Sequence, residues 1–248
     1  MNWDEIVLDR CRHLGGGRCL APGPGAEANA AARLEAMAIP GAVYRLYERR
    51  LKKALAGAAV PRHVGVILDG NRRWAKEAGE STATGHRAGA DKIIDLLTWS
   101  EEVGVELVTL WMLSTDNLDR APAELMPLLR IIEQAVAKLA RSGRWRIRVV
   151  GALDLLPYQT AGRLHEAEAA TAGVEGLGVN VAIGYGGRRE IADAVRSLLA
   201  EQSRAGVSIE QLAHTLDVEH IAEHLYTRGQ PDPELVIRTS GEQRLSGF

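Results

Sequence analysis

The feature that most constrains the fold of this chain is a regular alternation of short β-branched segments with longer helical ones after Pro61. The longer segments repeat apolar residues at intervals of three and four, whereas the short ones are rich in Val and Ile. Such alternation forms βαβ units, so we predict an α/β fold with a mostly parallel central sheet flanked by helices on both faces. The predicted strands cover 63–68, 105–113, 144–151, 177–185 and 234–239, and the predicted helices cover 87–103, 122–141, 159–171 and 188–204.

The N-terminal part of the chain lacks this alternation. Residues 15–32 mix Gly, Pro and Ala without a hydrophobic period that would hold them on a core. A helical pattern with a strongly basic face begins only near Val43. We therefore expect residues 1–40 to form a flexible extension and residues 41–248 to form the folded domain.

Composition excludes several classes of protein. With 46% hydrophobic and 25% charged residues the chain can bury a full core, and its formal net charge of −2 gives no basic field for nucleic acid, so we predict no nucleic-acid partner. Cys11 and Cys19 lack the spacing of a metal site, and no segment resembles a secretory signal or a membrane-spanning helix. We predict a cytoplasmic protein, and peripheral contact with a membrane surface stays open.

Polar side chains follow four of the predicted strands, and ligands of open parallel sheets bind beyond these carboxyl ends. Asp69 is a hard oxygen ligand suited to Mg²⁺, which usually takes one or two carboxylates and completes its shell with water and phosphate. Arginine forks match phosphate oxygens, and hydroxyl groups add neutral donors. The pattern predicts a diphosphate site built from Asp69, Asn71, Arg72, Arg73, Ser114, Thr115, Asp116, Asn117, Gly184–Arg188, Arg238, Ser240, Arg244 and Ser246.

Other motifs give weaker signals. No GxxxxGK[ST] segment occurs, which excludes the P-loop nucleotidases. The segment GYGGRREI (184–191) has Arg189 where a dinucleotide fingerprint needs its third glycine, so it predicts a strand-to-helix turn. The segment HIAEH (220–224) matches one metalloprotease pattern, which would need a further acidic ligand. A bound-zinc measurement would test that less favoured alternative.

Five segments of the chain carry a family resemblance. HVGVILDGNRRWAKEAG, GHRAGADKI, LSTDNLDR, VNVAIGYGGRREI and DPELVIRTSGEQRLSGF resemble the signature regions of the cis-prenyltransferases, in the same order, from about residue 60 to residue 248. The resemblance implies a homodimeric α/β enzyme with the undecaprenyl diphosphate synthase-like fold. It also implies that isopentenyl diphosphate is joined to an allylic diphosphate with Mg²⁺, forming a new Z double bond without a protein nucleophile.

The resemblance also implies roles for individual residues. Asp69 is expected to bind Mg²⁺ and the allylic diphosphate, and Asn71 and Asn117 to assist condensation and proton loss. The residues expected to hold the allylic diphosphate are Gly70, Arg72, Arg73 and His86. Those expected to hold the isopentenyl diphosphate are Arg238, Arg244 and Ser246. Further substrate-binding positions are Trp74, Ser114, Thr115, Asp116 and Arg120.

Departures from the family pattern favour a short product. Thr82 occupies a position where many long-chain members carry an arginine. Leu118 replaces a tryptophan that is common in the family, and Asp116 replaces the usual glutamate, which resembles an actinobacterial short-chain subgroup. Met112 stands where long-chain members have a small residue, so we expect it to limit product length, although an ordinary buried methionine is an equal alternative. Candidate tunnel residues, most of which we expect to be plain core, are Leu96, Leu125, Leu128, Leu129 and Ile132.

The end of the printed chain differs from the family pattern, which continues after RLSGF into a WQ segment and a further acidic metal ligand. We therefore expect 41–248 to be a cis-prenyltransferase catalytic domain without its C-terminal end. The predicted activity is that of a short-chain enzyme making a product such as (2Z,6E)-farnesyl diphosphate, with geranyl diphosphate as the favoured primer. Two alternatives stay open: a decaprenyl or undecaprenyl diphosphate synthase, and a non-catalytic accessory subunit of one.

Overall fold

The computed structural model describes residues 41–242 and divides the chain into two compact units, residues 1–60 and residues 61–248. The described part of the first unit is helix α1 (Gly41–Leu55), in agreement with the helical pattern of the sequence. The predicted extension over residues 1–40 lies outside the described residues. The boundary after Val60 assigns α1 to the first unit, and the view of 41–248 as one catalytic domain stays a prediction.

The described residues of the second unit, 61–242, form a sheet of five parallel strands, which confirms the predicted sheet. They are β1 (His63–Ile67), β2 (Leu107–Ser114), β3 (Arg146–Val150), β4 (Gly178–Tyr185) and β5 (Leu235–Arg238). Their order across the sheet is β3-β4-β2-β1-β5. The chain therefore crosses over in both directions, and right-handed crossovers in two directions cover both faces of the sheet with helices.

In the part of the second unit that the structure describes, seven α-helices lie between or beside these strands. They are α2 (Asn71–Glu77), α3 (Thr82–Val103), α4 (Pro122–Ser142), α5 (Tyr158–Thr171), α6 (Gly187–Arg204), α7 (Ile209–Thr215) and α8 (Val218–Ala222). Helix α3 begins five residues before its predicted start because the Ser81 hydroxyl accepts a hydrogen bond from Thr84 N at 3.1 Å. Within the described residues, no helix is both long and apolar enough to cross a membrane.

The core lies on both faces of the sheet, as the nearly continuous apolar strands require. All of β1 is buried, and so is β4 except for Tyr185. Leu97 of α3 and Leu129 of α4 are fully buried among the core residues. Each such side chain contributes about 1.5–3 kcal/mol relative to an exposed one, so the helices are fixed on the sheet that carries the site.

A buried polar network crosses the sheet near the amino ends of its strands. His63 Nε2 lies 2.8 Å from Thr109 Oγ1, and His63 Nδ1 lies 2.7 Å from the Pro231 carbonyl oxygen. Asn180 donates from Nδ2 to Thr109 Oγ1 at 3.0 Å and to Gln230 Oε1 at 2.7 Å. Because burial penalises unpaired polar groups, this network fixes β1, β2, β4 and the 230–231 segment in one register.

Candidate active site

A cavity of about 770 Å³ opens at the carboxyl ends of β1, β2 and β5. This is the edge of the sheet at which the sequence pattern predicted a ligand site. Its polar residues are Asp69, Asn71, Arg72, Arg73, Lys76, His86, Ser114, Asp116, Asn117, Arg120, Arg238 and Glu242. Its apolar residues include Ile93, Trp111, Met112, Leu128, Ile131 and Ile132.

Asp69 lies just beyond β1 with its carboxylate held between β5 and its own backbone. Arg238 donates to Asp69 Oδ2 from Nε at 3.1 Å and from Nη2 at 2.6 Å, and Gly70 N donates to Oδ1 at 2.7 Å. Burial alone would raise the pKa of Asp69, but the hydrogen bonds from Arg238 and Gly70 outweigh it and lower that pKa. Asp69 is therefore an ionised carboxylate at neutral pH.

Glu242 joins two arginines of the cavity. Arg238 Nη2 lies 3.1 Å from Glu242 Oε2, and Arg73 Nη2 donates to Glu242 Oε1 at 2.9 Å. Arg73 Nη2 also lies 3.9 Å from Asp69 Oδ2. The Arg238 side chain is only 10% exposed, so these carboxylates compensate a positive charge that has lost most of its contact with water. Two cations and two anions thus balance at this side of the cavity.

A second ionic cluster lies where the chain leaves β2 and enters α4. Glu124 Oε1 accepts from Arg120 Nη1 at 3.0 Å and from Arg72 Nη1 at 3.3 Å. Arg120 also donates from Nη2 to Asn117 Oδ1 at 2.6 Å. Burial, followed by the charge of Arg72, lowers the pKa of Arg120. One carboxylate thus pairs with two arginines, so some of their N–H donors stay available for an anionic ligand.

His86 lies one turn into α3 and faces this second cluster. Burial first, and then the charges of Arg120 and Arg72, lower the pKa of His86, so the ring is neutral at pH 7. Its Nε2 atom is buried and has no hydrogen-bond partner among the residues that the structure describes. A buried polar atom left unpaired is rare in native proteins, and this one lines the cavity. It is a position at which a ligand atom would be stabilised.

Met112 lies in a β-bulge between β2 and β4. Trp111 pairs with Ala182 and Leu113 with Ile183, so two steps along β2 match one step along β4. The bulge leaves Met112 half-buried on the cavity wall, whereas Trp111 and Leu113 on either side are buried. Trp111, Met112 and Leu113 all line the cavity, so the bulged part of β2 forms a continuous piece of its wall.

Most of the predicted site residues meet at the cavity. Of those in the described part of the chain, the ones that do not line it are Trp74, Thr115, Gly184–Arg188 and Ser240. Trp74 follows Arg73 on a helix, where each residue turns by about 100°, and Thr115 packs against Gly186 at the start of α6. Arg244 and Ser246 lie outside the described residues. Gly70 has φ of 95°, a conformation that glycine adopts without strain and that turns the chain from β1 into α2.

Two cavity residues and one of their partners escaped the sequence prediction. Lys76, one turn after Arg72 on α2, and Glu242, four residues after Arg238, line the cavity. Glu124 lies outside the set that lines it and pairs with Arg120, four residues before it. The four-residue spacing to a known candidate is the signal that could have identified all three. Among the tunnel candidates, Leu128 and Ile132 line the cavity, whereas Leu96, Leu125 and Leu129 do not.

The two remaining motifs have local structural roles. GYGGRREI forms the predicted turn, with β4 ending at Tyr185 and α6 beginning at Gly187. In HIAEH, His220 accepts a hydrogen bond from Asp217 N at 3.1 Å, and His224 Nδ1 lies 2.8 Å from Ser197 Oγ. Within the described residues, no group of three or more His, Cys, Asp or Glu side chains is arranged as a metal site.

Comparison with known proteins agrees with this geometry. The chain is 64% identical over 207 residues to the (2Z,6E)-farnesyl diphosphate synthase of Thermobifida fusca (strain YX), covering 83% of this chain and 81% of that protein. It is 61% identical over 204 residues to isoprenyl transferase 1 of Streptomyces avermitilis, covering 82% and 79% of the two chains.

A solved structure has the same fold. Lavandulyl diphosphate synthase from Lavandula x intermedia, in complex with dimethylallyl diphosphate, superposes with a TM-score of 0.70 at 30% identity and covers 76% of this chain and 81% of its own. Residues 67–248 match the family model described as "Putative undecaprenyl diphosphate synthase", so the match includes strands β2 to β5 and the last residue of β1. The chain belongs to this family, the cis-prenyltransferases.

Proposed function

We propose that this protein is a short-chain cis-prenyltransferase that condenses isopentenyl diphosphate with geranyl diphosphate to give (2Z,6E)-farnesyl diphosphate. The bond between C1 of the allylic substrate and its diphosphate breaks, and diphosphate leaves with the electron pair. C4 of isopentenyl diphosphate bonds to that C1, and a proton is lost from C2 to form the Z double bond. The products are the fifteen-carbon diphosphate, inorganic diphosphate and one proton.

The observation that carries this proposal is the amphiphilic cavity. Arg72, Arg73, Arg120 and Arg238 contribute guanidinium groups from α2, β5 and the segment before α4, while buried Ile93, Leu128 and Ile132 form an apolar wall. A diphosphate head group matches the planar forks of the arginines, and a prenyl tail matches the apolar wall. Because the arginines are paired with Glu124 and Glu242, phosphate oxygens would compete with two carboxylates for the same donors.

In this proposal the arginines and His86 stabilise the charge that grows on the departing diphosphate. Arg72, Arg73, His86 and Gly70 hold the allylic diphosphate, and Arg238 holds the isopentenyl diphosphate together with Arg244 and Ser246. The carboxamides of Asn71 and Asn117 orient the isopentenyl unit and assist loss of its proton. Trp74, Ser114, Thr115, Asp116 and Arg120 support the bound substrates. Holding both substrates in one cavity converts a chance encounter into a positioned step.

Asp69 fits the requirements of a Mg²⁺ ligand. It is an ionised carboxylate on the cavity wall. Among the described residues, no group of three or more His, Cys, Asp or Glu side chains surrounds it, so this part of the protein would supply only one or two ligands. Magnesium suits such a site because it commonly takes one or two protein carboxylates and completes its octahedron with water and substrate phosphate. Bound to Asp69, it would supply further charge compensation for the departing diphosphate.

Met112 supports the short product over the longer-chain alternative. Its bulged position puts a flexible thioether among the apolar cavity residues, where it fills space that a longer prenyl chain would need. The proposal also keeps the homodimer and the cytoplasmic location that the sequence predicts. Sedimentation of the purified protein and fractionation of cells test these two properties.

The test is an incubation of the purified protein with labelled isopentenyl diphosphate, Mg²⁺ and primers of five, ten and fifteen carbons. We expect the ten-carbon primer to be used best, a fifteen-carbon product, and loss of turnover in excess EDTA. Asp69→Asn should lower turnover by about 10³-fold, the loss of roughly 4 kcal/mol of transition-state stabilisation. The matched control is Asp91→Asn, which removes an exposed carboxylate that pairs with Lys138 on the surface.

The outcomes separate the alternatives. A ladder of products beyond twenty carbons from the parent protein would identify a longer-chain synthase. No turnover from a folded protein with any primer, together with activation of a catalytic relative on mixing, would identify an accessory subunit. Turnover of Asp69→Asn within tenfold of the parent would contradict the assignment of Asp69.

A further inference from the structure

Helices α2 and α3 approach each other closely at two glycines that are four residues apart. A Cβ atom at Gly85 would lie 2.3 Å from the Asn71 carbonyl oxygen and 2.8 Å from Ala75 Cβ. A Cβ atom at Gly89 would lie 2.5 Å from Asn71 Oδ1 and 2.8 Å from Asn71 Nδ2. Both glycines therefore contact Asn71, but one meets its backbone and the other meets its carboxamide.

We propose that Gly89 is a positioning residue for the carboxamide of Asn71. The inference rests on the proposed function, in which that carboxamide orients the isopentenyl unit. Gly89 and Asn71 both line the cavity, so the contact lies at the site itself. The bare Cα of Gly89 leaves the space that the carboxamide occupies, and any larger residue there would displace it.

The orientation of this carboxamide depends on packing. None of the hydrogen bonds between described side chains involves Asn71, whereas Asn117 accepts one from Arg120 at 2.6 Å. A hypothetical Cβ at Gly89 would lie within 3 Å of Oδ1, Nδ2 and Cγ alike, so the amide lies directly against the α3 backbone. No hydrogen bond between the described side chains would therefore hold the Asn71 carboxamide in its present orientation once a larger residue at position 89 displaced it.

The two glycines consequently predict different defects. At Gly85 the obstruction is backbone and a buried Ala75 Cβ, so an added methyl must separate two helices and destabilise the fold. At Gly89 the obstruction is the end of a side chain that can rotate away. Alanine also has the higher helix propensity, which offsets part of any cost to stability. The change at Gly89 should therefore affect catalysis and leave the fold intact.

The experiment compares Gly89→Ala with Gly85→Ala and with Gly162→Ala, a helical control in α5 where a Cβ atom would meet nothing within 4 Å. We expect Gly89→Ala to keep the parental melting temperature, to lower kcat by about 10²-fold as loss of one oriented polar group does, and to leave KM within threefold. Gly85→Ala should lower the melting temperature, and Gly162→Ala should match the parent in stability and turnover.

A readout independent of catalysis is the side-chain amide signal of Asn71 in a ¹⁵N-labelled protein, assigned by its absence in Asn71→Ala. Gly89→Ala should shift this signal, and Gly162→Ala should not. In the double variant Asn71→Ala/Gly89→Ala the obstructing atoms are gone, so turnover should equal that of Asn71→Ala alone. Equality would show that Gly89 acts through Asn71.

Each contrary result is distinct. Full turnover by Gly89→Ala, together with impaired turnover by Asn71→Ala, would overturn the positioning role of Gly89 without affecting the proposed function. An unfolded Gly89→Ala protein would have the same consequence. So would a double variant whose turnover is lower than that of Asn71→Ala. Full turnover by a folded Asn71→Ala would overturn the role of Asn71 in the proposed function and the inference with it. Product formation by the parent protein decides the proposed function separately.

Discussion

Replacing Met112 with alanine tests whether the bulge on β2 limits product length. The change removes three heavy atoms, Cγ, Sδ and Cε, from the wall that Met112 shares with Ile93, Leu128 and Ile132. A further isoprenoid unit adds five carbons, and burying them is worth up to about 4 kcal/mol at roughly 0.8 kcal/mol per carbon. Even half of that value would favour retention of the longer chain by roughly 30-fold, since about 1.4 kcal/mol corresponds to tenfold.

The cost to stability should be moderate. Removing a fully buried methionine side chain costs about 2–5 kcal/mol, and Met112 is only half-buried, so we expect about 1–2 kcal/mol. Leu129→Ala is the matched control because Leu129 is fully buried on α4 outside the set that lines the cavity. It should lose at least as much stability as Met112→Ala without a change of product.

The assay uses labelled isopentenyl diphosphate in excess over geranyl diphosphate, followed by dephosphorylation and reversed-phase separation of the alcohols by length. Met112→Ala should move the main product beyond fifteen carbons, while the parent and Leu129→Ala keep the fifteen-carbon product. An unchanged product distribution from a folded, active Met112→Ala protein would refute the reasoning. The bulged methionine would then be a packing residue of the sheet edge.

Three further predictions concern stability and use urea or thermal unfolding. Asn180→Ala removes a fully buried amide, leaves the half-buried amide of Gln230 without its partner and should cost about 1–3 kcal/mol, whereas a midpoint unchanged in urea would contradict the role of this network. Burial lowers the pKa of His63 against the opposing hydrogen bond to Pro231, so the folded state binds fewer protons than the unfolded one. Stability should therefore hold above pH 6.5 and fall as the pH drops below it, with a shallower fall in His63→Gln. Gly70→Ala should cost about 1–2 kcal/mol because φ is 95° there, and an unshifted melting temperature would show that this turn relaxes freely.

The candidate site was partly visible in the sequence because parallel strands end at one edge of a sheet. Asp69 and Arg238 are 169 residues apart, yet each follows or ends a β-branched segment, and the structure joins them by a hydrogen bond of 2.6 Å. Glu242 was missed because its four-residue spacing from Arg238 is a weak signal in a segment without a helical pattern. Its importance appears only once Arg73 of α2 and Arg238 of β5 are found on either side of it.

The sequence by itself determined the class of fold, the parallel sheet and the edge of the sheet at which the cavity lies, because hydrophobic period and strand length are local properties. It also identified the family through five ordered segments. Tertiary structure decided the strand order β3-β4-β2-β1-β5, the bulge at Met112 on the cavity wall, and the contact of Gly89 with Asn71. These features depend on which distant elements pack side by side and in which register, and a local pattern contains no information about either.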